Sequence, residues 1–307
     1  MQIPHISVLP NEVKEAFKDL NDGFLIDATL GFGGHSELLL NEHKELKIIA
    51  CDKDDEALSF AKRRLQDFKD RVSFFKSDFR QIFKLLSENE LLKVRGVLAD
   101  IGLSSWQLDS DERGFSKKSN FLDMRMDKSS NLSAFEVVNE YDLARLSQIF
   151  KDFAGLKNAE SLAQKIITQR TKKPIESAKE FAQIVDGFVR GRRVSNATLV
   201  FQALRIEVNR ELEALSEFLS DIESLARAKK LRNCTLAIIS FHSLEDILIK
   251  NAFKKWSKNC LCEERCKCAK TSKLGSIITK KPLTASIAEL KNNPRSSSAK
   301  LRVFKLD

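Results

Sequence analysis

DATLGFGGHS, residues 27–36, places three of the chain's 11 glycines within four positions, between a short apolar run and an apolar helical stretch. Glycine lets the main chain turn tightly and approach a ligand with no Cβ in the way. The order Gly31-Phe32-Gly33-Gly34-His35 lacks the full dinucleotide fingerprint, and no Lys-[Ser/Thr] follows, which disfavours a nucleoside triphosphate. The surroundings decide its reading. FLIDA (24–28) leads into the loop, and KIIAC (47–51), VSFF (72–75), VLADI (97–101) and TLAIISF (235–241) are further β-branched runs. Between the second and third runs, Leu58, Ala61, Leu65 and Phe68 fall at helical spacing, with basic residues on the opposite face. Strand, glycine turn, helix, strand, helix, strand predicts a parallel sheet with right-handed crossovers.

Acids end these strands. Asp52 stands eighteen residues after Gly34, near the ~20 expected of a carboxylate that accepts from ribose hydroxyls. Asp78-Phe79 and Asp100 end the third and fourth runs. Acids beyond successive parallel strands line one crevice and point to a nucleoside-bearing cofactor, either of NAD type or S-adenosylmethionine. Phe79 is placed to pack against its base.

The strand pattern then stops. From roughly 109 to 207 only helical signals occur, and SAFEVV and SAKEFAQIV open with Ser133/Glu136 and Ser177/Glu180, the spacing of a capping box. A long amphipathic stretch over 207–230 carries Val208, Leu212, Leu215, Leu219, Ile222 and Leu225 on one face. The expected organisation is a core over 1–108, an inserted helical domain over 109–207, and a second core segment over 208–307. An insertion at the carboxyl edge of the sheet would roof the ligand crevice.

Lys plus Arg number 52 against 43 Asp plus Glu, a net charge of +9. Such an excess favours a polyanionic partner, nucleic acid ahead of an anionic membrane surface. No apolar run approaches the ~18 residues of a membrane span. The start, MQIPHISVLPNEVKEAF, has neither the basic n-region nor the apolar stretch of a signal peptide. A cytoplasmic location is expected. Four of the six cysteines, Cys260, Cys262, Cys266 and Cys268, form C-x-C-x₃-C-x-C. Those pairs are tighter than usual zinc spacing, so reduced thiols in a basic loop are favoured over a structural zinc.

The blocks DATLGFGGHS, LADIGLSSWQLD with ERGFS, LDMRMD, FQALRIEVNRELE, ISFHSLED and NPRSSSAKLR occur in this order. Together they resemble the bacterial family that methylates N4 of a cytosine in 16S ribosomal RNA with S-adenosylmethionine. The likeness runs from HISVLPNE at 5–12 to the last dozen residues. It implies an α/β class I, Rossmann-like methyltransferase with an inserted all-helical domain, and the small ribosomal subunit as partner. A homodimer is left open, and no membrane is involved. Carried onto matching positions, it implies cofactor contacts from Gly33, Gly34, His35, Asp52, Phe79, Asp100 and Gln107. A side chain at Gly33 is then expected to collide with the cofactor.

Asp100, Ser104 and Ser105 are candidates for holding the target amine and accepting its proton. RNA contacts are expected from Arg113, Phe115, Arg125, Arg192, Arg193, His242 and Arg295. Three departures stand out: Trp106 where the family usually has proline, Ser297 where relatives often carry arginine, and a short segment between RGFS and LDMRMD. The competing readings are a non-catalytic RNA-binding assembly factor that retains the cofactor fold, and an NAD oxidoreductase. A DNA amino-methyltransferase lacks support because its Asp-Pro-Pro-Tyr type loop is absent.

Overall fold

All five runs read as strands pair in one sheet: β1 (Phe24–Asp27), β2 (Lys47–Asp52), β3 (Val72–Lys76), β4 (Val94–Asp100) and β5 (Thr235–Ser240). They lie parallel to their neighbours. Two strands without a signal in the sequence reading, β6 (Gly275–Ile277) and β7 (Lys300–Leu306), complete it, and β7 runs antiparallel to both β5 and β6. The order is β3-β2-β1-β4-β5-β7-β6. Chain direction around the sheet reverses between β1 and β4, and open α/β sheets bind ligands beyond the strand ends at such a switch point.

The computed structural model describes residues 6–186, 196–260 and 272–307. It divides into two units, Met1–Gly102 with Glu213–Asp307, and Leu103–Leu212. The expected insert at 109–207 lies inside the second unit.

In the first unit each central strand sends alternate residues to two apolar layers, as a parallel sheet covered on both faces must. Leu25, Ile48, Ala50, Leu98, Ala237 and Ile239 join one layer with Val13, Leu39 and Leu58. The last three come from α1 (Pro10–Ala16), α2 (Gly34–Glu42) and α3 (Asp55–Arg64). Ile26, Ile49, Val97, Ala99, Leu236 and Ile238 join the other, against Phe218 and Ile222 of the helix Glu211–Arg227 and Ile249 and Phe253 of the helix Ser243–Trp256. Cys51 and Cys234 are fully buried fillers, and burial pushes the Cys234 thiol up to about 12.

The second unit is helical, and its described residues contain no strand. Helices Ala134–Glu140, Leu143–Asp152, Ala159–Arg170, Ala178–Asp186 and Asn196–Asn209 enclose Leu146, Phe150, Leu162, Ile166, Phe181 and Leu204. Both capping boxes form: the Ser133 hydroxyl accepts from Phe135 N–H, and the Ser177 hydroxyl accepts from Glu180 N–H at 3.1 Å. The long stretch over 207–230 is not one helix. It breaks at Arg210, whose φ is +51°. The Asn209 amide donates to Met124 C=O and accepts from Met126 N–H, both at 2.8 Å, while Arg205 reaches past the break to Glu211. These polar ties leave no trace in hydrophobic periodicity. Among the described residues, no helix is long and apolar enough to cross a membrane.

Candidate active site

β1 ends at Asp27, and the chain then turns through Gly31 and Gly33, at φ +51° and +77°, before α2 begins at Gly34. A Cβ on Gly31 would meet nothing within 4 Å, so this glycine borders open space at the strand ends. Gly33 differs. A Cβ there would come within 3.3 Å of Ala61 and Leu65 on α3. A side chain at Gly33 would therefore press on α3 as well as strain a left-handed backbone, a constraint that stands beside the expected collision with the cofactor.

Asp52 closes the loop from the side. Its carboxylate accepts Gly31 N–H at 2.7 Å and Asp54 N–H at 2.8 Å. A carboxylate has about four lone-pair directions, and two remain for hydroxyl donors. Burial raises the Asp52 carboxyl to about 6, opposed by those two backbone N–H groups. Asp27, 2% exposed, accepts from the Ser36 hydroxyl at 2.6 Å and from Thr29 N–H at 3.3 Å. Burial pushes its carboxyl up. Thr29 Oγ1 in turn accepts Asp100 N–H at 2.6 Å. Asp27, Thr29 and Ser36 thus tie the loop to the end of β4. A polar residue at the end of β1 was their only sequence signal.

At the centre His35 Nε2 lies 3.6 Å from Asp100 Oδ2. Asp100 Oδ1 and both ring nitrogens of His35 are buried without a hydrogen-bond partner. Buried polar atoms are nearly always satisfied, so acceptor and donor capacity gathered at a switch point fits a polar ligand. Phe79 follows Asp78, which caps its own turn. The ring is half-buried and packs edge-on against Phe218 at 5.3 Å. This set could hold S-adenosylmethionine: Asp52 at the ribose hydroxyls, Phe79 at the adenine face, Asp100 at the methionine end, and the N–H groups that open α2 at the carboxylate.

Ser104, Ser105 and Gln107 belong to the second unit. The Ser104 hydroxyl accepts Gln107 N–H at 3.2 Å and the Gln107 side chain accepts Ser104 N–H at 3.1 Å, capping the short helix Ser105–Asp109. Nothing is described of the Ser105 side chain.

Several expected RNA contacts take other work. Arg113 is 2% exposed; its guanidinium donates to Met126 C=O at 2.8 Å and lies over the Trp106 ring. Phe115 is buried in the helical core. His242 is buried and caps the helix Ser243–Trp256, with Glu245 returning the bond. For Arg113 and Phe115 direct RNA contact is corrected, because both side chains are buried in the helical unit; the His242 ring is spent on its helix cap. Arg125 turns a fork onto Asp123, at 2.9 and 2.7 Å, and donates to Ser130 C=O. Arg295 is exposed. Arg192 and Arg193 lie outside the described residues, as do Cys262, Cys266 and Cys268; Cys260 is half-buried.

Arg113→Lys keeps the charge but not the planar fork. We expect it to lower unfolding free energy by ~1.5–3 kcal/mol, the loss of one hydrogen bond from a charged donor, read as a lower urea midpoint. An unchanged midpoint with weakened RNA binding would return Arg113 to the RNA contacts.

The profile described as the MraW methylase family matches residues 2–307. The chain is 54% identical to the ribosomal RNA small subunit methyltransferase H of Campylobacter jejuni subsp. jejuni serotype O:6, over 99% of this chain and 97% of that protein. It is 54% identical to the protein of the same name from Campylobacter curvus, over 100% and 99% of the two chains. With a glycine loop, an acid ending β2 and an acid ending β4 arranged on this sheet, and a match that runs over residues 2–307, the chain belongs to the MraW methylase family.

Proposed function

We propose that this chain methylates the exocyclic N4 amine of a decoding-centre cytosine in 16S ribosomal RNA, with S-adenosylmethionine as donor, in the cytoplasm. The observation that carries the reading is Asp100: a carboxylate at the sheet's switch point, with one buried oxygen unpartnered and its backbone N–H anchored to Thr29. Family membership and the names of the two Campylobacter relatives support it.

The cytosine amine is a weak nucleophile because its lone pair is delocalised into the ring. The bound cofactor supplies a methyl group on an activated sulfonium. The chain's part is alignment, worth as much as ~7–11 kcal/mol of a barrier, and acceptance of the amine's hydrogen bonds so that nitrogen rehybridises. Asp100 is the candidate acceptor, with Ser104 and Ser105 as further oxygens on the following segment. A base inside a helix cannot present this amine, so the target must be single-stranded or extruded. Neither a metal nor a covalent intermediate enters this account, and zinc at the cysteine loop is not part of it. Homodimer formation has no part in it either.

The test is labelled-methyl transfer from S-adenosylmethionine to small ribosomal subunits purified from cells without this enzyme, followed by nucleoside mass spectrometry. N4-methylcytidine is expected. No incorporation, or label on a different base, would refute the proposal. An assembly factor without catalysis would bind the subunits and leave them unlabelled.

A further inference from the structure

Phe121 is 50% exposed, and no other aromatic side chain among the described residues is exposed. A scattered surface apolar residue needs no explanation. Here the backbone that carries it is unusually well fixed. Phe121 N–H donates to the Ser119 hydroxyl at 3.1 Å, and Phe121 C=O accepts Ala178 N–H at 3.2 Å. Ser119 C=O accepts Lys179 N–H at 3.1 Å, and the Ser119 hydroxyl donates to Asp111 C=O. Asn120 gives both its N–H and its side-chain amide to the Asp111 carboxylate, at 2.9 and 3.0 Å. The loop is thus stapled on one side to Asp111 and on the other to the start of the helix Ala178–Asp186. A phenyl ring held out to solvent from so constrained a backbone is pre-organised, and ordering it on binding costs little.

The charge around it is complementary to RNA. Lys118 and Lys179 are exposed and have no ion-pair partner among the described residues. Of the nearby acids, Asp123 is paired with Arg125 and Glu180 with Lys173, while Asp111 keeps its charge and spends its carboxylate on Asn120. One flat apolar face on a loop with unpaired exposed lysines is an arrangement with which proteins hold single-stranded nucleic acid: rings stack on bases, and amines follow the backbone.

We propose that Phe121 is a stacking platform for an unpaired base of the RNA substrate, with Lys118 and Lys179 contacting the flanking phosphates. The proposal rests on the RNA-directed activity above, and assigns one surface of the helical unit to substrate recognition.

The test is binding of the full chain to a fluorescently labelled single-stranded oligoribonucleotide of about a dozen nucleotides, followed by anisotropy over a salt series. Phe121→Ala is expected to weaken binding roughly 5- to 150-fold, the loss of one stacked base. Phe121→Trp is expected to restore it, and Phe121→Leu is not. Lys118→Ala and Lys179→Ala should each reduce the slope of log affinity against log salt by about 0.7. Thermal midpoint and S-adenosylmethionine affinity should match the wild type in every variant. Wild-type binding by Phe121→Ala, full recovery by Phe121→Leu (the sign of a protein contact), or no oligoribonucleotide binding by the wild type would each overturn the platform. Binding is read without turnover. A wild type that binds through Phe121 but labels no ribosomal subunit would therefore sink the activity and leave the platform standing.

Discussion

Asp100→Asn is expected to reduce methyl transfer by ~10²–10⁴-fold, the range over which a positioned proton acceptor contributes, while the protein stays folded. The asparagine keeps the shape of the side chain and the backbone bond from Asp100 N–H to Thr29 Oγ1. It loses the charge, and with it the strongest acceptor at the end of β4. Folding should tolerate the change, because Oδ1 is buried without a hydrogen bond and the nearest cationic candidate, His35 Nε2, stands 3.6 Å from Oδ2. Removing a poorly compensated buried charge does not destabilise a core. Two roles for Asp100 predict different signatures. If it grips the cofactor's ammonium, cofactor Kd rises by the ~10- to 150-fold of a lost charged hydrogen bond and saturating cofactor restores much of the rate. If it accepts from the target amine, the rate at saturating cofactor stays low. Initial rates of labelled-methyl transfer at several cofactor concentrations, with calorimetry for Kd, separate these. Turnover and Kd equal to the wild type would remove Asp100 from both roles.

The first unit was the more legible of the two, for a physical reason. Buried parallel strands are short β-branched runs, and an acid at the end of each is a polar interruption that sequence displays directly: Asp52, Asp78 and Asp100 all end or follow strands. Helix caps are equally local, so Ser133 and Ser177 were readable. What sequence does not display is where a polar side chain spends its hydrogen bonds. Arg113 and His242 carry functional groups suited to RNA, yet one is consumed by Met126 C=O and the Trp106 ring, the other by a helix start. The break at Arg210 is hidden for the same reason, since Asn209 bonds residues about eighty positions earlier in the chain. Gly33 illustrates the limit most plainly. Its place in a ligand loop is visible in the sequence, but the close approach to Ala61 and Leu65 that its missing Cβ permits is not.

A second large effect belongs to Asp52. Its carboxyl sits at about 6 because burial outweighs the two N–H groups it accepts. A raised carboxyl makes a folding contribution that is fully present below the ordinary carboxylate range near 4 and is lost as pH rises through about 6. Cofactor binding has the opposite sign. Ribose hydroxyls donate to the ionised form, so binding favours loss of the proton, and affinity should fall as pH drops below 6. With a free-protein value of about 6, only ~10% of the sites are ionised at pH 5, which predicts roughly tenfold weaker binding there than at pH 7.5. Above pH 6.5 the profile should level. Asp52→Asn abolishes the titration, and at pH 7.5 it should weaken cofactor binding ~10- to 150-fold, the cost of a hydrogen bond to a charged acceptor. Its affinity should then be flat between pH 5 and 7.5. Calorimetric titration of wild type and variant with S-adenosylmethionine over that range reads both signatures at once. A flat wild-type profile, or a variant that binds as tightly as the wild type at pH 7.5, would mean that Asp52 only ties Gly31 and Asp54 together and that the ribose is held elsewhere.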